Sequence, residues 1–207
     1  MRVLITGFGP FPRAPFNPSA AVAKALARRR RPALAGLVRD AHVFATRYAD
    51  IDRDLPLLLA QRPDIVLMFG LAGRTRELRI ETRARNAASA LLPDAGRHRP
   101  QHRTIEMGAP PARIGRAPFS RLAAALRDRK VPARISRDAG TYLCNYGYWR
   151  ALEAAPNGRP LVLFVHIPLT HMTARPRQRV KRHSLSLPQI VGAAENLLIV
   201  LAAAAKR

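Results

Sequence analysis

The chain has 207 residues, of which 48% are hydrophobic, and its 36 lysines and arginines outnumber 13 acidic residues, giving a net charge of +23. This length and hydrophobic content predict one globular domain spanning residues 1–207, and they exclude a wholly disordered chain. The single cysteine excludes an intramolecular disulfide and a cysteine-based zinc site. The sequence shows neither a signal-peptide pattern nor a membrane span, so we expect a cytoplasmic protein without a membrane partner.

The positive charge comes mostly from arginine, since 32 of the 36 cations are arginines and four are lysines. The basic segments 27–32, 74–85 and 175–183 are scattered, contain no interleaved aromatic residues and match no helix-turn-helix, zinc-finger or RNA-binding pattern. A field of this sign favours anionic partners in general. We therefore expect non-specific, salt-sensitive binding of nucleic acid and no dedicated nucleic-acid site.

Strand and helix patterns alternate along the chain. In the first half, the apolar runs and caps predict a strand at 2–8, a helix at 17–30, an extended segment at 37–48, a helix at 50–62, and strands at 63–73 and 77–87. In the second half they predict a loop at 91–110, a helix at 118–130, a segment at 133–140 leading into a helix near Cys144, a strand at 159–169, a basic loop and a final helix at 187–205. This alternation predicts helices on both faces of a mostly parallel or mixed sheet.

Three chemically reactive side chains lie where such sheets place their sites, at the carboxyl ends of strands. Cys144 begins a helix, and a helix N-terminus lowers the pKa of a thiol. His166 ends the strand "LVLFVH", and an imidazole accepts the thiol proton and later donates it to a leaving amine. Glu81 follows a strand and its glycine turn, and a carboxylate behind an imidazole fixes its tautomer.

Each of these residues also has an ordinary structural interpretation. A lone cysteine is usually a small buried hydrophobic residue, and a histidine at a strand end is often held by structural hydrogen bonds. Glu81 lies between Arg79 and Arg83, so a surface ladder of weak ion pairs would also explain it. The residues alone suggest a cysteine hydrolase and leave these alternatives open.

Five segments, in chain order, resemble the pyroglutamyl peptidase I family: "RVLITGFGPF" with "NPS", "PDIVLMFGLAGR", "RIETRARN", "AGTYLCN" and "FVHIP". The resemblance extends from Met1 to the last helix. It implies a three-layer α/β/α sandwich, with Cys144 as nucleophile, His166 as general base and acid, and Glu81 as the orienting carboxylate. It also implies a cytoplasmic dimer or tetramer that needs no metal or cofactor and acts on peptides whose N-terminus is blocked by pyroglutamate.

The resemblance is weaker at the positions that bind the substrate in the family. Phe8 and Phe11 match the phenylalanines that hold the pyrrolidone ring in the family, and Tyr142 replaces the usual phenylalanine before the nucleophile. Leu71 stands where the family turn "GQAGGR" has glutamine, and Leu91 stands where "DARIPDN" has an arginine associated with the oxyanion. Loss of a donor to the developing negative charge costs about 2.7–4 kcal/mol of transition-state stabilisation.

Two functional hypotheses follow. The first is an active cysteine exopeptidase that removes an N-terminal pyroglutamyl group. The second is a diverged member of the family, either an amidase of other specificity or a non-catalytic protein that binds anions or nucleic acid. The three triad residues favour the first hypothesis, whereas Leu71, Leu91 and the net charge of +23 favour the second.

Overall fold

In the residues described by the computed structural model, 1–11, 14–170 and 185–206, a six-stranded sheet lies between two layers of helices. The strands are β1 (Arg2–Phe8), β2 (Val38–Phe44), β3 (Ile65–Leu71), β4 (Leu78–Glu81), β5 (Arg83–Arg85), β6 (Ala112–Ile114), β7 (Ala133–Ser136) and β8 (Leu161–Ile167). The helices are α1 (Pro18–Arg28), α2 (Tyr48–Ala60), α3 (Phe119–Asp128), α4 (Leu143–Glu153) and α5 (Leu187–Ala205), with a short 3₁₀ helix at Pro32–Leu34.

The main sheet has the strand order β2-β1-β3-β8-β4-β7. The first four strands in this order are parallel to one another. β4 pairs antiparallel with β8, and β7 pairs parallel with β4. β5 and β6 form a separate antiparallel pair. This topology confirms the prediction of an α/β fold with a mostly parallel or mixed sheet.

The central strands are the ones with continuous apolar sequences. β1, β3 and β8 are buried along nearly their whole length, because helices cover both of their faces. The edge strand β2, with the sequence VRDAHVF, is mostly exposed or half-buried, and the edge strand β7 exposes two of its four residues. Polar edge strands of this kind oppose pairing with a second sheet.

Each face of the sheet has its own hydrophobic core. α1, α3 and α5 pack on one face, and α2 and α4 pack on the other. α5 has 19 residues and is, among the described helices, the one long and apolar enough to cross a membrane by length and composition alone. The expectation that no segment of the chain has the length and composition of a membrane span is therefore wrong. In the structure Ile190, Leu197 and Leu201 of α5 are fully buried in the first core.

Most predicted elements are present, and the final helix has the bounds expected. The single strand predicted at 77–87 is wrong, because the chain leaves the main sheet at Thr82. Its amide and hydroxyl both donate to the carbonyl of Ser136, at 2.8 and 3.0 Å, and β5 then pairs with β6, which the sequence did not predict. Part of the predicted basic loop, including segment 175–183, lies outside the described residues.

The contact between β1 and the start of α1 predicts a strong effect of Gly7→Ala. A β-carbon at Gly7 would lie 2.5 Å from the carbonyl oxygen of Ser19 and 2.9 Å from the amide nitrogen of Ala20, and neither backbone atom moves without shifting the helix. We expect Gly7→Ala to lower the free energy of unfolding by roughly 1–3 kcal/mol or more, as measured by urea titration.

Gly192→Ala is the matched control for this substitution. Gly192 lies within α5 and has no atom within 4 Å of its ideal β-carbon. Alanine is favoured over glycine inside a helix, so we expect this variant to gain about 0.5–1 kcal/mol. Equal small effects of the two substitutions would contradict the close packing of β1 against α1.

Candidate active site

Cys144 is the second residue of α4, which begins at the carboxyl edge of the sheet. The N-cap residue Tyr142 makes no capping hydrogen bond with its side chain. The amides of the first helical turn therefore keep their partial positive charge for a ligand or a reacting group. The cysteine is half-buried, and its Sγ would lie only 2.8 Å from a β-carbon at Gly70 of β3. Glycine at this position lets the nucleophile lie directly against the end of β3.

His166 lies on β8, and Glu81 ends the neighbouring strand β4. The Nδ1 atom of His166 is 2.9 Å from the Oε1 atom of Glu81, so Nδ1 carries the proton that the carboxylate accepts. The contact with Glu81 occupies Nδ1, so Nε2 is the ring nitrogen available to Cys144, whose thiol lies close enough to His166 to raise its pKa. The structure thus brings the three candidate residues together, with the imidazole between the thiol and the carboxylate.

The charge state of His166 follows from these neighbours. Burial lowers the pKa of a histidine because it disfavours the charged form. Here the hydrogen bonds and the negative charges of Cys144 and Glu81 outweigh burial and raise the pKa of His166 to about 9. The imidazole is therefore protonated at neutral pH, and its positive charge lies beside the side chain of Cys144.

Glu81 is fully buried, which excludes the surface ladder of ion pairs considered from the sequence. The hydroxyl of Tyr148, on α4, donates to the backbone carbonyl of Glu81 at 3.0 Å. The Nε atom of Arg79 is 3.3 Å from the same carboxylate oxygen that contacts His166. The other oxygen, Oε2, has no hydrogen-bond partner among the described residues. The carboxylate therefore depends on charge compensation by its neighbours.

A small cavity of about 190 Å³ opens beside Cys144 and His166. Four of the five predicted substrate-binding residues line it, namely Phe8, Phe11, Tyr142 and Leu71. The rings of Phe11 and Tyr142 have centroids 6.0 Å apart. The described residues that line the cavity include none with an acidic side chain. The cavity suits a small, neutral group.

Leu91, the fifth of these residues, does not line the cavity. Its side chain is 81% exposed, on a loop that is held from both sides. The hydroxyl of Tyr142 donates to the carbonyl of Pro93 at 2.8 Å, and the amide of Tyr48 donates to the Asp94 carboxylate at 3.1 Å. The hydroxyl that distinguishes Tyr142 from phenylalanine thus fixes the loop that carries Leu91.

Two polar residues of the cavity wall were not among the predicted substrate residues. The hydroxyl of Thr46 and the side-chain amide of Asn17 both donate to the carbonyl of Gly9, at 3.0 and 3.2 Å. They fix the backbone between Phe8 and Phe11, and both line the cavity. Asn17 could be found from its helix-capping position, but the sequence contains no signal for Thr46, whose φ of 61° is unusual for threonine.

Asn145, next to the nucleophile, was also not predicted as a site residue. Its side chain is fully buried. It accepts a hydrogen bond from the amide of Arg85 at 2.8 Å and donates to the carbonyls of Arg85 and Ala87, at 2.8 and 3.0 Å. These three bonds lock the first turn of α4 to the segment that follows β5, and so they fix the position of Cys144.

A thiol at a helix N-terminus, an imidazole and a buried carboxylate on an α/β sheet define the class of cysteine hydrolases. The model of the pyroglutamyl peptidase family matches residues 1–206. This chain belongs to the pyroglutamyl peptidase family, which confirms the resemblance seen in the sequence.

Individual relatives agree with this assignment. The pyrrolidone-carboxylate peptidase of Thermococcus onnurineus is 31% identical over 201 residues, which cover 96% of this chain and 97% of that protein. The Bacillus subtilis pyrrolidone-carboxylate peptidase is 32% identical over 197 residues, with 93% and 88% covered. The structure of a mutant pyrrolidone carboxyl peptidase from Pyrococcus furiosus superimposes with a TM-score of 0.90 and 28% identity, covering 99% of this chain and all of that one.

The contact between His166 and Cys144 predicts fast alkylation of the single cysteine. An ordinary thiol is only a few per cent ionised at pH 7, and a neighbouring imidazolium favours the reactive thiolate form. We expect His166→Ala to slow the reaction with iodoacetamide at pH 7 by about tenfold or more, as followed by intact-protein mass spectrometry.

His42→Ala is the control for this measurement. His42 also pairs with a carboxylate, since its Nε2 is 3.1 Å from Asp54 Oδ2, but it lies on the edge strand β2. Its replacement should leave the alkylation rate unchanged. Equal rates for His166→Ala and the wild type would remove His166 as the partner of Cys144.

Proposed function

We propose that this protein removes an N-terminal pyroglutamyl residue from peptides, with Cys144 as nucleophile, His166 as general acid and base, and Glu81 as the carboxylate that orients the imidazole. The observation that carries the proposal is the placement of His166 between Cys144 and the buried Glu81, to which it is hydrogen-bonded, beside a small cavity whose described lining contains no acidic side chain. The family assignment supports the same activity.

The first half of the reaction forms an acyl-enzyme. The Cys144 thiolate attacks the carbonyl carbon of the pyroglutamyl residue, and the carbonyl oxygen takes the negative charge. As the C–N bond breaks, the imidazolium of His166 donates its Nε2 proton to the leaving amine. The shortened peptide departs with a free amino terminus, and the pyroglutamyl group stays on sulfur as a thioester.

The second half of the reaction releases pyroglutamate. Neutral His166 takes a proton from a water molecule as that water attacks the thioester carbonyl. Collapse of the tetrahedral intermediate breaks the C–S bond and restores the thiolate and the imidazolium. Glu81 keeps the Nδ1 tautomer of His166 in both halves, because Nδ1 remains hydrogen-bonded to it.

The first-turn amides of α4 are the proposed donors to the oxyanion. They point out of the helix N-terminus that carries Cys144, and no side chain caps them at Tyr142. Such pre-positioned donors cost no reorganisation when charge develops. Leu91 provides no donor, since its side chain is apolar and faces solvent. In this proposal the backbone amides alone donate the hydrogen bonds to the oxyanion, without the help of an arginine at position 91.

Recognition of the ring is proposed to rely on shape and neutrality. Phe8, Phe11 and Tyr142 provide ring surfaces, and Leu71 adds an apolar wall. Besides Thr141, Cys144 and His166, the described polar side chains that line the cavity include Asn17 and Thr46. A pyrrolidone ring carries no charge, so it enters such a cavity without leaving an ion unpaired.

The remaining expectations concern the setting of the enzyme. We propose a cytoplasmic location, assembly of two or four copies, and nucleic-acid binding that is non-specific only. The first two are what the family resemblance implies, and the scattered arginines support the third.

The raised pKa of His166 predicts the alkaline limb of the activity profile. The pKa lies near 9 rather than the usual 6.5, so the imidazolium needed to protonate the leaving amine persists through pH 8 and is lost as the pH rises past 9. We expect kcat/KM for a pyroglutamyl amide reporter to fall above about pH 9. A descending limb near pH 6.5 would contradict this assignment.

The absence of acidic side chains from the described lining of the cavity predicts selectivity for the cyclised residue. A reporter with N-terminal glutamine has the same carbon skeleton as the cyclised residue, but its chain is open and it carries an ammonium group. Burial of an unpaired ammonium costs several kcal/mol. We expect kcat/KM to be at least about a hundredfold lower for the glutaminyl reporter than for the pyroglutamyl reporter with the same leaving group. Comparable values would show that the cavity does not bind the ring.

A further inference from the structure

Arg79 lies beside the catalytic carboxylate but is not one of the three candidate catalytic residues. In the antiparallel pairing of β4 with β8, Arg79 is directly opposite His166, and Glu81 follows two residues later. All three side chains therefore lie on the same face of the sheet. The side chain of Arg79 is only 20% exposed, although it carries a full positive charge.

The guanidinium of Arg79 joins two parts of the site. Its Nε is 3.3 Å from Glu81 Oε1, an ion pair without hydrogen-bond geometry, since this Nε has no hydrogen-bond partner among the described residues. Its Nη2 donates to the hydroxyl of Ser136 at 2.7 Å and to the carbonyl of Asp138 at 2.8 Å. Ser136 ends β7, and the segment after it leads into α4 and Cys144. One side chain thus connects the carboxylate of the triad to the segment that delivers the nucleophile.

The charge balance at Glu81 changes during the proposed reaction. While His166 is an imidazolium, it neutralises the buried carboxylate. After the proton has left with the amine, His166 is neutral, and a buried carboxylate without a cation is strongly disfavoured. Glu81 Oε2 has no hydrogen-bond partner among the described residues, so Arg79 is the cation that remains beside it.

We propose that Arg79 is a positioning residue of this active site, which balances the charge of Glu81 while His166 is neutral and holds that carboxylate to the segment leading to Cys144. The inference rests on the proposed function. Without Arg79, Glu81 would compete with the leaving amine for the proton of His166.

Other ionisable groups face the same cluster. From α4, these are the thiol of Cys144 and the hydroxyl of Tyr148, whose pKa is raised by burial and by Glu81. From the segment after β7 it is Asp138. Burial opposes its ionisation, but the Gly140 amide, Arg85 and Arg79 together lower its pKa. Because its pKa is lowered, Asp138 keeps a constant charge over the pH range in which His166 titrates. The groups directly beside His166 and Glu81 are Arg79 and Cys144.

The test compares Arg79→Gln, Arg79→Lys and the control Arg83→Gln. Arg83 is on β5, loses the same charge and, like Arg79, bonds to the segment after β7, at the carbonyl of Arg137, but no ion pair joins it to Glu81 among the described residues. The first readout is an NMR titration of the His166 imidazole, identified by its loss in His166→Ala. The second readout is kcat/KM on a pyroglutamyl amide reporter.

In Arg79→Gln, a like charge near the imidazolium is gone, so the His166 midpoint should rise from about 9 by about one pH unit. Its kcat/KM should fall by about ten- to a hundredfold, because the carboxylate and the segment leading to Cys144 lose their link. Arg79→Lys should restore the midpoint but only part of the rate, since an ammonium does not reproduce the planar fork. Arg83→Gln, which also loses a positive charge and a bond to that segment, should leave the His166 midpoint unchanged.

A rate loss in Arg79→Gln with an unmoved His166 midpoint would overturn the proposal, because a merely structural role produces that result. If Arg79→Gln does not fold, the Arg79→Lys variant tests the proposal instead. A wild-type kcat/KM in Arg79→Lys would also overturn the proposal. A wild type that cleaves no pyroglutamyl reporter would reject the proposed function instead, and the NMR midpoints would still test the charge relation between Arg79 and His166.

Discussion

The antiparallel pairing of β4 with β8 is the constraint on which the site depends. The other neighbour of β8, β3, runs parallel to it, and a parallel β4 would place Arg79 and Glu81 in a different register against His166. In the observed register, the acid lies diagonally across from the base at 2.9 Å. Because β4 and β8 are internal strands covered by α4, the pair is removed from water, and each member needs the other for charge compensation.

The nucleophile reaches this pair from a different direction. β7 runs beside β4, and the segment after it returns over the edge of the sheet to begin α4. Asn145 fixes the first turn of α4 to the chain after β5, and Tyr142 fixes the loop that contains Pro93. The position of Cys144 is thus set by contacts on both sides of it rather than by the helix alone. Gly70 then allows the sulfur to approach the end of β3.

The sequence predicted best where one local signal was sufficient. The apolar runs of β1, β3 and β8 and the helix at 187–205 were identified because burial on both faces or a long helical pattern is visible in the residues themselves. The three candidate triad residues, which the structure brings together, were singled out by their chemistry together with the family resemblance.

The sequence failed where partners are distant in the chain. The break at Thr82 depends on Ser136, and β6 exists only because β5 pairs with it. Nothing local indicates that Arg79 reaches Glu81 and Asp138 at once, since the same residues fit an exposed ladder equally well. The exposure of Leu91 likewise follows from the anchoring of its loop by Tyr142 and Asp94, which no periodicity encodes.

The central claim is that the thiol of Cys144 cleaves the pyroglutamyl bond. The most direct measurement compares hydrolysis of a pyroglutamyl amide reporter by the purified wild type and by Cys144→Ala at pH 8, with the fold of both proteins verified by circular dichroism. The account predicts steady turnover by the wild type and none above the uncatalysed rate by the folded variant. Turnover by Cys144→Ala at the wild-type rate, or a folded wild type that leaves the reporter intact, would contradict it.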